Sequence, residues 1–159
     1  MNKFIFLDID GVMNSNLFYS ERTQDKRYND WIKEYPQYIA WSACNIDPRA
    51  VERLNRLTDA TGAKIVVSSS WRFDSNLQAV FTIVGIKEPI YSTTPSSESR
   101  IRGEEIQAWL NRETEPCKYV ILDDCDMLEP QLPYFIQTDW LKWGLSDDDV
   151  EHAIHILND

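Results

Sequence analysis

Residues 4–12 read Phe-Ile-Phe-Leu-Asp-Ile-Asp-Gly-Val, and the fold turns on them. Phe4–Leu7 is apolar without alternation, the character of a strand covered on both faces, as in a parallel sheet. The run stops at two carboxylates, Asp8 and Asp10, followed by Gly11. Burying carboxylates is costly unless they are paired or hold a cation, so a strand that ends this way marks a site at its carboxyl tip. Gly11 permits the sharp exit that such a tip needs.

Two further apolar runs follow, Ile65–Val67 and Tyr119–Leu122. The first ends in Ser68, Ser69 and Ser70; the second ends in Asp123 and Asp124, with Asp126 close behind. Helical stripes lie between and after these runs. Asp47-Pro48 is an N-cap and first-turn pair, with Val51, Leu54 and Leu57 on one face and Gly62 as the stop. Leu77, Val80, Phe81 and Val84 run to Gly85, and Ile106, Trp109 and Leu110 make a third stripe. Ser146 caps a last helix, with Asp147, Asp148 and Asp149 in its positive first turn and Val150, Ala153, Ile154 and Leu157 inside. The alternation predicts one α/β domain over residues 1–159, a doubly wound, mainly parallel Rossmann-like sheet. In such sheets the ligand crevice lies beyond the carboxyl ends of the strands, where all three polar tips would gather.

Residues 12–46 interrupt this rhythm with Phe18, Tyr19, Tyr28, Trp31, Tyr35, Tyr38 and Trp41. Loops this long are uncommon without a functional reason. The segment leaves the sheet after Gly11, so it is expected to hang over the strand tips as a flap or small lid, partly helical around Asn29–Tyr35. Its aromatics serve either as a small packing core or as substrate contacts, with Trp31 and Trp41 as stacking surfaces.

A net charge of −10 and a sequence pI near 4.6 disfavour a broad grip on nucleic acid or an anionic membrane. In residues 12–46, Arg22, Lys26, Arg27 and Lys33 are matched by Glu21, Asp25, Asp30 and Glu34, so no basic strip forms. No apolar run approaches the roughly 20 residues of a membrane span, and only four apolar residues precede Asp8, too few for a signal peptide. Cys44, Cys117 and Cys125 form no CxxC and read as reduced thiols of a cytoplasmic protein.

Carboxylates gathered at one crevice repel unless a cation intervenes, and an all-oxygen set suits Mg²⁺. Zinc is disfavoured, since no Cys/His cluster exists and His152 and His155 are far from the strand tips. A calcium loop starting at Asp8 fails, because its twelfth position is Tyr19 rather than Glu. Arg100 and Arg102 precede a helix starting near Gly103, where an arginine can reach the crevice and hold a phosphoryl oxygen. The Ser68 hydroxyl can hold another, or Ser69 if the strand runs one residue further. Arg72 reads as a surface or capping residue ahead of a substrate contact, Cys125 as packing, and Asp147–Asp149 as a helix first turn rather than a metal site.

DxDG after a first strand, Ser after a second, a basic residue before a late helix and DD after a further strand resemble the four motifs of the haloacid dehalogenase (HAD) superfamily. The stretches IDPRAVERLNRLTDATGAKIVVSSSWR, RGEEIQAWL and ILDDCDM are similar, more narrowly, to the small HAD phosphatase domains associated with RNA-repair proteins. The resemblance implies that Asp8 is a nucleophile that forms an aspartyl-phosphate, and that Asp10 is the general acid and then base. It implies Mg²⁺ held by Asp8, the Asp10 backbone carbonyl and Asp123, with Asp124 nearby, and a phosphoryl group bound by Ser68 and Arg102. An acid at position 10 resembles the phosphatase and phosphotransferase branch, whereas carbon–halogen-cleaving members lack it. The expectation is a Mg²⁺-dependent phosphomonoester hydrolase acting on a small molecule, a nucleotide or a nucleic-acid end. The alternatives are a non-catalytic HAD-like binding or assembly module, and a phosphotransferase to an acceptor other than water.

Overall fold

A computed structural model of the chain describes residues 1–22 and 26–159; Asp25, one of the acids matched above, lies outside them. Five strands, β1 (Asn2–Leu7), β2 (Lys64–Val67), β3 (Ile90–Thr93), β4 (Cys117–Asp123) and β5 (Phe135–Gln137), form one sheet in the order β3-β2-β1-β4-β5. Every pairing is parallel. β1 is central, with Phe4 opposite Lys64 and Tyr119, and Leu7 opposite Val67 and Leu122.

The continuous apolar runs are explained by cover on both faces. Ile5, Leu7, Ile65, Val67, Val120 and Leu122 face one layer of helices: α4 (Pro48–Thr61), α5 (Leu77–Val84) and α7 (Asp147–Asn158), which supply Leu54, Leu57, Val80, Phe81, Val150 and Leu157. Phe4, Phe6, Val66 and Ile121 face the other way, onto Ile106 and Trp109 of α6 (Arg102–Leu110). Trp109 meets Phe4 and Phe6 edge-on, with ring centroids 4.9 and 5.3 Å apart. Such pairs add about 0.5–1.5 kcal/mol each beyond the area they bury.

The helix ends follow local chemistry. The Asp47 side chain accepts the Arg49 N–H, Pro48 opens α4, and Gly62 closes it in the left-handed region. α7 begins with a capping box between Ser146 and Asp149, and Asp147 pairs with Arg53 and Arg56 of α4. The acidic first turn therefore caps and ties a helix, as its sequence implies.

Residues 12–46 contain α1 (Asn16–Glu21), α2 (Arg27–Trp31) and α3 (Gln37–Ala43). The helix expected around Asn29–Tyr35 starts and stops earlier, because Ile32–Tyr35 close into turns whose N–H groups bond back to residues 28–31. Phe18, Ile39, Ala40 and Ala43 are buried, while Tyr35, Tyr38 and Trp41 stay exposed.

The segment after β5 braces the start of this insert. The Thr138 hydroxyl donates to the Gly11 carbonyl at 2.6 Å. The Asn16 N–H reaches the Trp140 carbonyl, and the Leu145 N–H reaches the Val12 carbonyl, both at 2.9 Å. Gly144 lies so close that a Cβ there would come within 2.7 Å of the Val12 carbonyl and 2.8 Å of that of Asn14. No helix among the described residues is long and apolar enough to cross a membrane.

Candidate active site

Because Leu7, Val67 and Leu122 are in register, the next residues of β1, β2 and β4 emerge side by side. The ladder runs one step further, from the Ser68 N–H to the Leu7 carbonyl and from the Asp8 N–H to the Leu122 carbonyl, both at 3.0 Å. Asp8, Ser68 and Asp123 therefore share one tip, and all three are buried.

Arg102, the first residue of α6, reaches the same point. Its Nη1 donates to Asp123 Oδ2 at 2.7 Å and lies 3.1 Å from Asp8 Oδ1. Two buried carboxylates thus share one guanidinium. Burial, followed by the charge of Asp123, pushes the Asp8 carboxyl up to about 7. Burial also raises Asp123, with Arg102 opposing the shift. Burial works against the Arg102 charge, but Asp123 and Asp8 more than offset it and hold its pKa above the usual value. Arg100 is exposed and touches neither carboxylate, so geometry separates the two arginines that spacing left open.

The two serines also differ. Ser69 Oγ accepts the Trp71 N–H and caps the single 3₁₀ turn Ser70–Phe73. Ser68 Oγ is buried and makes no hydrogen bond to the described residues. An unmet buried hydroxyl is costly and is commonly explained by a ligand or water.

Asp10 points outward. Its carboxylate accepts from Asn14 Nδ2 at 3.0 Å and from Trp71 Nε1 at 3.1 Å. Asn14 is itself buried and bridges the Gly11 N–H, the Tyr19 hydroxyl and the Asn45 carbonyl. Neither Asn14 nor Trp71 stood out in the sequence as a support for Asp10. The signals were present, as an Asn just past a glycine exit and a Trp just past three serines.

Gly11 has φ +87°, and a Cβ built on it would overlap the Asp124 carboxylate. Gly11→Ala is therefore expected to lower stability by about 1–3 kcal/mol from backbone strain and to displace Asp124. Denaturant unfolding beside a metal titration checks both effects; unchanged values in both would contradict the close approach.

Arg72 was expected at the surface or as a cap, and it is neither, because its guanidinium binds loop carbonyls and Glu105 rather than a helix end. Its side chain is 6% exposed and lies behind the serines. Nη1 donates to the carbonyls of Ser68 and Ser69 at 3.2 and 2.9 Å, Nε to that of Thr94 at 3.0 Å, and Nη2 to Glu105 at 3.0 Å. Glu105 in turn accepts the Ser97 N–H at 2.9 Å. The pair locks the loop after β2 to the loop after β3 and to α6.

The donor set fits a hard divalent cation. Oxygens of Asp123 and Asp124 and the Cys125 sulfur lie within 4.8 Å of one another. Burial, then the charges of Asp123 and Asp124, push the Cys125 thiol up to about 11, and carboxylate oxygens rather than a thiol are what a hard cation takes. Among the described residues no N–H or O–H donates to the Asp10 carbonyl, which is left to act as a ligand. His152 and His155 sit exposed on α7.

No curated protein and no solved structure matches the chain. The family described as the HAD domain in Swiss Army Knife RNA repair proteins matches residues 4–150. This span takes in β1 from Phe4 onward, the other four strands, both acidic tips, the serine tip and Arg102. With a parallel α/β sheet whose carboxyl edge gathers those residues, the chain belongs to the HAD-domain family of Swiss Army Knife RNA repair proteins.

Proposed function

We propose that the protein is a Mg²⁺-dependent phosphomonoester hydrolase that works through an aspartyl-phosphate on Asp8. The observation that carries this reading is the buried Asp8–Arg102–Asp123 cluster at adjacent strand tips, with the unpartnered Ser68 hydroxyl beside it and an outward-facing Asp10 two residues on.

In the first half-reaction an Asp8 oxygen attacks phosphorus and the bond to the ester oxygen breaks. Asp10 gives that oxygen its proton. In the second, Asp10 takes a proton from water, the water oxygen attacks phosphorus, and Asp8 leaves as a carboxylate with release of inorganic phosphate. Arg102 and the Ser68 hydroxyl hold phosphoryl oxygens through both steps. Asn14 and Trp71 keep the Asp10 carboxylate aimed where the leaving oxygen must pass. Asp8, the Asp10 carbonyl, Asp123 and Asp124 would hold Mg²⁺, which would supply positive charge to offset repulsion between the Asp8 carboxylate and a phosphate dianion.

The substrates we assign are phosphorylated nucleotides or nucleic-acid ends. Membership of a family of RNA-repair domains supports them, and the net charge of −10 argues for recognition by a local pocket rather than a broad surface. Cys117 and Cys125 are free thiols, which suits a reducing cytoplasm.

The test is release of phosphate from an aryl phosphate. Turnover should appear with Mg²⁺, vanish in chelator and return when Mg²⁺ is restored. A folded protein that releases no phosphate from aryl phosphates, nucleotides or phosphorylated oligonucleotide ends would instead be a binding module. Phosphate passed to an added alcohol would make it a transferase.

A further inference from the structure

A cleft of about 700 Å³ opens beside Arg102, between the turn after β2 and the loop after β3. Ser70, Phe73, Ser96, Glu98, Arg100 and Arg102 line it. We propose that this cleft is the subsite for the nucleoside attached to the reacting phosphate, with Phe73 as the surface on which the base stacks and Arg100 as the contact for the next phosphate along a strand. The proposal rests on the phosphomonoesterase reading and names the part of the substrate beyond the phosphate.

Position is the first support. Arg102 lines the cleft and also lies 3.1 Å from the Asp8 carboxylate, so the cleft adjoins the place where a phosphoryl group at Asp8 would sit. The volume lies within the roughly 300–1,000 Å³ of small-ligand sites.

Phe73 is the second. It is 68% exposed, an unusual place for a bare phenyl ring. The Arg72 guanidinium lies 4.4 Å from its centroid, and Arg72 is itself fixed by three carbonyls and Glu105. The ring is thus backed by a rigid support while most of its surface stays open, and a platform already in place loses little freedom when a base lands on it. Base–aromatic stacking needs no particular base, which suits a site that reads a nucleic-acid end rather than a sequence.

Arg100 is the third. Of the arginines lining the cleft, Arg72 is committed to Glu105, and Arg102 to Asp8 and Asp123. The Arg100 guanidinium has no hydrogen-bond or ion-pair partner among the described residues, and its backbone sits in the left-handed region at φ +56°. Backbone held this way in a residue other than glycine is characteristic of ligand clamps. Glu98 is suited to an exocyclic amine of a base and not to a phosphate, so one cation and one acceptor flank the aromatic platform. A phosphorylated serine or threonine peptide would bring no ring to stack on Phe73.

The experiment measures binding in an Asp8→Asn background with Mg²⁺, where the covalent step is blocked. The ligands are a nucleoside monophosphate, ribose phosphate without a base, and a dinucleotide with a terminal phosphate. The monophosphate should bind more tightly than ribose phosphate. Phe73→Ala should cut that advantage about tenfold, and Phe73→Trp should keep it. Phe73 is exposed, so its truncation leaves the core intact. Arg100→Gln should weaken the dinucleotide severalfold more than the monophosphate. A nucleotide that binds no better than ribose phosphate, or an advantage untouched by Phe73→Ala, would overturn the subsite. Equal losses for both nucleotides in Arg100→Gln would overturn the strand contact and leave a mononucleotide site. Aryl phosphate turnover by the unmodified chain is read alongside. Its absence, together with no release from nucleotides or phosphorylated oligonucleotide ends, would sink the hydrolase reading, whereas the base-dependent binding stands or falls by itself.

Discussion

Asp8→Asn is expected to lower phosphate release by more than about a thousandfold and to leave the fold standing. The loss follows from the chemistry, because an amide oxygen is too poor a nucleophile to displace an ester oxygen at phosphorus. The survival follows from the packing. Asp8 and Asp123 are both buried and share Arg102. Removing one of two mutually repelling carboxylates leaves the other still paired, so thermal stability in chelator should be unchanged or higher. The measurement is single-turnover phosphate release beside a thermal melt. Turnover within about tenfold of the parent would remove Asp8 as the nucleophile. A collapsed melt would mean that its charge is structural.

Arg72→Met is expected to be the most damaging substitution to stability near the site. It strands the Glu105 carboxylate, whose side chain is 7% exposed, and orphans the carbonyls of Ser68 and Thr94, while that of Ser69 keeps the backbone N–H of residue 72. Breaking a buried pair from one side typically costs about 3–5 kcal/mol. In a chain of this size that corresponds to a drop in melting temperature on the order of 10 °C. Arg72→Met combined with Glu105→Gln should recover part of the loss, because the uncompensated charge is gone. If the double variant is as unstable as the sum of the single ones, the two residues are not acting as a pair. Turnover should fall further than stability alone explains, since the Ser68 loop loses its clamp.

The strands and helices that read clearly from sequence are those whose signal is local. Phe4–Leu7 and Ile65–Val67 are apolar on both sides, because helices cover both faces there. Asp47-Pro48, Gly62, Gly85 and Ser146 punctuate helices by chemistry that acts within a turn. Edge strands carry no such signal. In β3, Tyr91 is half-exposed and no residue is fully buried, and β5 is three residues long, so neither shows a covered run. Of the site, the residues at the strand tips were legible because each directly follows an apolar run. Arg72 was not, since its role depends on a carbonyl of a loop 22 residues further on and on an acid of α6. The choice of Arg102 over Arg100 needed the helix start, which falls at Arg102 itself.

The brace between residues 138–145 and the loop after β1 bears on how the site comes into being. The hydroxyl of Thr138 is tied to the carbonyl of Gly11, a residue 127 positions earlier, and β1 pairs with β4 across a similar stretch of chain. During synthesis, the segment holding Asp8 and Asp10 leaves the ribosome well before residues 138–145 do. β2 can pair with it early, but the Asp123 side of the pocket and the brace wait until β4, β5 and the backbone leading to Gly144 have followed. Closing such distant contacts is slow and cooperative. A nascent chain halted before that segment would carry every acid of the first motif and still lack a pocket. The capacity to act on phosphate esters would therefore switch on late and all at once, and a ribosome-stalled series of increasing length would show it as a step rather than a slope.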